Sequence, residues 1–166
     1  MKFSLPRIIA ITNQKGGSAK TTTSVNLAAA LALSGRKVLL VDLDPQANAT
    51  IGFGLSSTDL EKSIYHVLID IETTMRETMV KTELENLYII PATIHLSGAE
   101  VELVNTIGRE IMLRDKLGHL LENSDFHYVI LDCPPSLGLL TLNALTTANE
   151  VIIPVQTHFY ALEGMS

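Results

Sequence analysis

Lys15, Lys20, Thr21, Asp42, Asp44 and Asp132 are the residues of this chain whose types and spacing could do chemistry. Residues 15–22 read Lys-Gly-Gly-Ser-Ala-Lys-Thr-Thr and follow the apolar run Arg7-Ile8-Ile9-Ala10-Ile11-Thr12. A buried strand that enters a glycine-bearing turn and then opens a helix at Lys20-Thr21 builds a cradle for a phosphate. Backbone N–H groups of the turn and of the helix N-terminus converge on one spot, and the helix dipole favours an anion there. Lys20 is placed to reach β- and γ-phosphates, and the Thr21 hydroxyl to ligate Mg²⁺. The same eight residues would also make an ordinary solvated loop. The strand before them, the helix after them and the carboxylates further along favour the cradle.

Those carboxylates sit at two more strand ends. Asp42-Leu43-Asp44-Pro45-Gln46-Ala47-Asn48 follows one apolar run, and Asp132-Cys133-Pro134-Pro135-Ser136 follows Tyr128-Val129-Ile130-Leu131. In an open parallel sheet, ligands bind beyond the carboxyl ends of the strands, so one site can collect all three segments. Asp132 can hold Mg²⁺ through a water opposite Thr21; a strand-end carboxylate that caps the next helix is the plainer alternative. Asp42 and Asp44 are two apart and would point the same way in an extended chain. Two like charges so placed repel unless a cation or donors separate them. One could sit near Mg²⁺ while the other positions an attacking water; two solvated turn residues before Pro45 would look the same in sequence.

Alternating β-branched runs and helical patterns must position these groups, which predicts an α/β fold: a parallel sheet with helices on both faces. Strands are expected at about 7–13, 37–42, 87–90, 128–132 and 151–155. A helix is expected over 20–34, with Val25, Leu27, Ala28, Leu31 and Ala32 inward and a stop at Gly35. A short helix is expected over 59–70, and helix plus solvated loop over 72–85. Ser97 and Glu100 have the spacing of a capping box for a helix running to about Glu122, broken near Gly108. Residues 139–148 complete the helices. No linker or repeat interrupts the chain, so residues 1–166 read as a single domain.

Composition narrows the classes. Apolar residues make up 46% and charged residues 18%, which is globular rather than disordered. The formal net charge of −6 gives no support for nucleic-acid binding. Cys133 is the sole cysteine, which excludes an intrachain disulfide. His66, His95, His119, His127 and His158 are scattered without zinc-site spacing and read as surface or hydrogen-bonded residues. Neither a signal peptide nor an apolar run of membrane-spanning length is present, so a cytoplasmic protein without membrane attachment is expected.

The common phosphate-loop pattern, G-x-x-x-x-G-K-S/T, fails here at both glycines, because Gln14 and Ala19 occupy those places. What remains, K-G-G-x-x-K-T with Lys15 at its head, resembles the deviant Walker A ATPases of the ParA and MinD group. Further stretches resemble the ParA/Soj partition ATPases: Asp-Leu-Asp-Pro-Gln-Ala-Asn-Ala-Thr from Asp42, Pro91-Ala92 before Leu96-Ser97-Gly98-Ala99-Glu100, Asp132-Cys-Pro-Pro-Ser-Leu-Gly, and Pro154-Val-Gln followed by Phe159-Tyr160-Ala-Leu-Glu-Gly. The resemblance covers nearly the whole chain in order.

It implies a P-loop NTPase fold and an ATPase that works as an ATP-dependent dimer switch in chromosome or plasmid partitioning, with Mg²⁺ as cofactor. Lys15, Gly16, Gly17, Ser18, Ala19, Lys20, Thr21 and Thr22 would bind nucleotide, Lys15 reaching the partner protomer's phosphates. Lys15, Lys20 and Asp44 would be catalytic, Asp44 holding the hydrolytic water. Thr21 and Asp132 would hold Mg²⁺, and Asp42, Asp44, Pro135 and Ser136 would lie in switch segments. Partners would be a second copy on ATP binding and a ParB-like protein. The family associates with the nucleoid through non-specific DNA binding, which is not expected of this acidic chain alone.

Two departures bear on this. Ala19 stands where the family mostly has glycine; at positive φ it would cost about 1–2 kcal/mol, and at negative φ it would matter only through contact with nucleotide. The chain stops at Ser166, where Ala161-Leu162-Glu163-Gly164 reads as an opening helix, so a C-terminally shortened form lacking the last strands is expected, with an exposed apolar edge on its final strand. A nucleotide-binding or dimerising module that no longer turns over is therefore the alternative. A MinD-like membrane regulator would need a basic amphipathic helix, and an iron–sulfur ATPase more cysteines than Cys133.

Overall fold

The central strand of the sheet is apolar on both faces and sealed on both. The computed structural model describes residues 5–56 and 58–156. Its elements, in chain order, are β1 (Arg7–Ile11), α1 (Lys20–Leu33), β2 (Val38–Asp42), α2 (Asn48–Gly52), α3 (Ile64–Ile69), α4 (Met75–Thr78), β3 (Val80–Lys81), β4 (Leu87–Ile90), α5 (Leu96–Glu102), a 3₁₀ turn (Arg109–Ile111), α6 (Met112–Leu121), β5 (Tyr128–Asp132), α7 (Leu139–Thr147) and β6 (Glu150–Ile152). They form a six-stranded sheet in the order β3-β4-β2-β5-β1-β6. All pairings are parallel except β3 with β4.

Two apolar layers cover the sheet, as buried parallel strands require. On one face Ile9, Ile11, Val38, Leu40 and Ile130 pack under Ala28 and Ala32 of α1 and Ala49 of α2. On the other, Ala10, Leu39, Val41, Val129 and Leu131 meet Ile64 and Val67 of α3, Leu96 and Ala99 of α5, Leu113 and Leu117 of α6, and Leu140 and Ala144 of α7. Small residues on α1 let it lie close over the strands that carry the site. The helix ends as its sequence predicts: Gly35 has φ 79, its N–H donates to Ala32 O and that of Arg36 to Leu31 O, a Schellman closure.

Three local expectations change. Residues 72–85 hold the short α4 and then β3, whose Val80 pairs with Ile89 antiparallel; a two-residue edge strand has too little periodicity to be seen in sequence. The helix expected over 59–70 is confined to Ile64–Ile69, because Ser63 caps it together with the His66 side chain. Ser97 is not an N-cap: α5 begins at Leu96, and the Ser97 hydroxyl donates to Ile94 O at 2.8 Å. Glu100 is engaged elsewhere, accepting from the Leu140 N–H in the first turn of α7. That approach needs Gly138, where an added Cβ would lie 2.1 Å from Glu100 Oε1. The expected break near Gly108 is present, at φ 77. Phe159, Tyr160, His158 and the helix read at residues 161–164 lie outside the described residues.

Candidate nucleotide site

The order β2-β5-β1 places three strand ends side by side. In register, Asp42 pairs with Asp132 and Asp132 with Ile11, the last strand residue before the glycine turn. The three polar segments therefore leave the sheet at one edge, and a cleft of about 410 Å³ opens between them. Gly16, Gly17, Ser18, Ala19, Lys20, Thr21 and Thr22 line one wall, and Asp44, Gln46, Asn48 and Pro135 the other.

The cradle is held from behind. Asn13 accepts from the Lys15 N–H at 2.9 Å and donates through Nδ2 to Pro154 O at 2.8 Å. Gln156 Nε2 donates to Gly17 O at 2.7 Å. Gly17 has φ 70 and nothing within 4 Å of where its Cβ would be. Ala19 is the N-cap of α1 with φ 64, so the open question about its backbone resolves to the left-handed region and an alanine cost of about 1 kcal/mol. Lys20 is buried, with Nζ 3.4 Å from Lys15 O. Lys15 itself is exposed at the head of the loop and does not line the cleft.

The three aspartates differ in environment. Asp44 lines the cleft, its Oδ1 accepting from Gln46 N–H at 2.9 Å. Asp42 does not share that orientation, contrary to the i, i+2 expectation, because the chain leaves the extended conformation after β2. Asp42 is fully buried and takes the Asp44 N–H on Oδ1 and both the N–H and hydroxyl of Thr50 on Oδ2. Thr50 in turn accepts from Ala92 N–H at 3.0 Å, joining the loop after β2 to the end of β4. Burial pushes the Asp42 carboxyl up to about 7, with the Thr50 hydroxyl opposing and the Asp132 charge adding to the rise.

Asp132, also fully buried, is pushed up to about 6, first by burial; the hydroxyls of Ser24 and Thr21 oppose this, Asp44 adds to it and Lys20 opposes it. Ser24 Oγ donates to Asp132 Oδ1 at 2.7 Å. Among the described residues, two buried side-chain oxygens lack a hydrogen-bond partner, Ser18 Oγ and Asp132 Oδ2. An unpartnered oxygen on a carboxylate that also feels Thr21 and Lys20 suits a divalent cation or its water. The described residues contain no group of three or more His, Cys, Asp and Glu able to hold a metal ion.

Of the remaining expected residues, Pro135 lines the cleft, whereas Ser136 is exposed outside it and offers its carbonyl to the Thr141 hydroxyl. Cys133 is buried with its thiol pushed up to about 12 by burial, and is inert packing. Four contributors were not singled out in sequence: Gln46, Asn48, Ser24 and Thr50. Gln46, Asn48 and Thr50 stood inside the stretch quoted from Asp42, without a role of their own. Ser24 carried a usable signal, being one helical turn after Lys20 on the same face.

A strand, glycine turn and helix beside a Walker B-type aspartate, in a mostly parallel sheet, is the architecture of a P-loop NTPase. The chain belongs to the AAA domain family, whose model matches residues 6–166, and within it to the ParA/Soj type. The sporulation initiation inhibitor protein Soj of Bacillus subtilis is 57% identical over 160 residues, 96% of this chain and 62% of that protein. The chromosome partitioning protein ParA of Myxococcus xanthus is 53% identical over 96% of this chain and 56% of that protein. The solved cobyrinic acid a,c-diamide synthase of Mycobacterium smegmatis, with bound ATP analogue and magnesium, aligns with a TM-score of 0.87 at 44% identity over 96% of this chain and 66% of that one. The chain spans roughly three fifths of the length of the curated relatives it matches. Among the described residues no helix is long and apolar enough to cross a membrane.

Proposed function

We propose that this chain is a partition ATPase that binds ATP with Mg²⁺ and hydrolyses it to ADP and phosphate. The observation that carries the reading is a cleft lined by a left-handed glycine turn, Lys20, Thr21 and Asp44, with the buried Asp132, whose Oδ2 has no partner, acted on by Thr21, Asp44 and Lys20 of that cleft. Residues 1–166 would all belong to a single ATPase domain acting in the cytoplasm.

The backbone N–H groups of residues 16–22 and the Lys20 ammonium hold the phosphates. Thr21 and Asp132 hold the cation, which when bound neutralises charge on the phosphate oxygens. Asp44 orients the attacking water, and catalysis is by positioning and charge neutralisation. Lys15, exposed beyond the cleft, is placed to serve a second copy, so ATP binding pairs two protomers and hydrolysis separates them. The Asp42–Thr50 lock carries Asp44 and answers the state of the site together with Pro135 and Ser136. A ParB-like protein would stimulate the reaction.

The left-handed Ala19 favours one second reading, a module that binds nucleotide without turnover. Phosphate release separates the two. Release by the chain with Mg-ATP, lost in Asp44→Ala and with dimer formation lost in Lys15→Ala, supports the ATPase. Nucleotide binding with no release above buffer supports the module.

A further inference from the structure

The geometry points to Ser24 as a positioning residue for the metal side of the site: its hydroxyl fixes the Asp132 carboxylate so that Oδ1 is occupied and Oδ2 is the oxygen offered to a divalent cation. This rests on the Mg-nucleotide reading above.

Ser24 lies on the second turn of α1, one turn after Lys20, and is fully buried. Its hydroxyl has two acceptors in range, Lys20 O at 3.0 Å and Asp132 Oδ1 at 2.7 Å. One hydroxyl carries one proton. The carboxylate is the shorter and the charged acceptor, and bonds of that kind are about twice as strong as neutral ones. Ser24 therefore gives its proton to Asp132 rather than to the helix backbone. A carboxylate torsion is broad and two-fold, so a single strong donor on one oxygen chooses which oxygen is left without a partner. The other, Oδ2, has no partner although Asp132 is fully buried, and the remaining groups acting on this carboxylate are Thr21, Asp44 and Lys20 of the same cleft. Without Ser24 the carboxylate is free to turn toward the Lys20 ammonium or the Thr21 hydroxyl and withdraw from the cation. A merely structural Ser24 would satisfy itself on Lys20 O and leave the metal side unchanged.

The test uses the 166-residue chain, its Ser24→Ala and Ser24→Thr variants, and a fluorescent ATP analogue titrated with Mg²⁺, with Mn²⁺ binding by electron paramagnetic resonance as a second readout. Ser24→Ala should raise the Mg²⁺ midpoint and the Mn²⁺ dissociation constant by roughly tenfold or more, as loss of a ligand-orienting partner does. Analogue affinity in EDTA should stay within twofold, and Ser24→Thr, which restores the hydroxyl, should return the metal midpoint toward that of the unsubstituted chain. Unchanged metal midpoints in a Ser24→Ala chain that binds the analogue normally overturn the proposal alone. Failure of the unsubstituted chain to bind the analogue with or without Mg²⁺ overturns the nucleotide reading and this proposal with it.

Discussion

Asp42 and Asp132 lie opposite each other in register on adjacent strands β2 and β5, both fully buried at the same sheet edge. Two carboxylates so placed must each be compensated separately. Asp42 is closed off by three donors from Asp44 and Thr50. Asp132 takes the Ser24 hydroxyl on Oδ1, feels the Thr21 hydroxyl as well, and keeps Oδ2 without a partner. The first is the anchor of a loop, and the second is the group with chemistry to offer.

This pair sets the pH dependence of stability. The carboxyls of Asp42 and Asp132 are raised from the ordinary 3.8 to about 7 and about 6. A carboxyl raised by folding binds its proton more tightly in the folded state, so its contribution is greatest at low pH and is lost as pH rises through the folded value. Urea midpoints measured without nucleotide or Mg²⁺ should therefore fall from about pH 4 to about pH 7 and level off above that, and Asp42→Asn should flatten the slope. A midpoint that rises over that window contradicts the assignment.

Thr50→Val keeps volume while removing the donor to Asp42 and the acceptor for Ala92 N–H, both at fully buried positions. Leaving two such groups short should cost about 2–4 kcal/mol in urea unfolding. A loss under about 0.5 kcal/mol would show the junction to be dispensable.

Left-handed alanines open both helices at the site, Ala19 at φ 64 before α1 and Ala47 at φ 54 before α2. Ala19 is exposed and Ala47 is 2% exposed. Ala19→Gly should therefore stabilise by about 1 kcal/mol. Ala47→Gly should be near neutral, because the relieved strain is offset by a buried methyl worth about 0.8 kcal/mol. Thermal and urea unfolding of the two variants side by side would show the difference.

Asn13→Ala removes both ties that hold the head of the phosphate loop to Pro154 and Lys15. Loss of one to two ordinary hydrogen bonds predicts roughly a 5- to 30-fold weaker binding of a fluorescent ATP analogue, measured by titration. Affinity within twofold of the unsubstituted chain would show that the cradle needs no support from the segment after β6.

The parallel sheet and the cradle were legible because their signals are local and repeated. Apolar runs such as Val38–Val41 announce a strand buried on both faces, and Lys-Gly-Gly between strand and helix announces the turn. The topology rule then brought Asp42, Asp132 and Lys20 to one edge without coordinates. What was illegible depended on partners distant in sequence. Nothing near Asp42 shows that Thr50 will close it off, or that Glu100 will leave Ser97 for the first turn of α7. The sign of φ at Ala19 is a property of the whole loop, held in part by Gln156, and no residue type at position 19 reveals it.

The central claim is that the cleft between the phosphate loop and Asp44 binds Mg-ATP through Lys20. Its most direct test is a titration of the 166-residue chain and of Lys20→Ala with a fluorescent ATP analogue and Mg²⁺. Saturable binding by the chain, lost or weakened at least roughly 30-fold in Lys20→Ala by removal of a charge-assisted contact, is the predicted result. Equal binding by both proteins, or binding by neither, would contradict it.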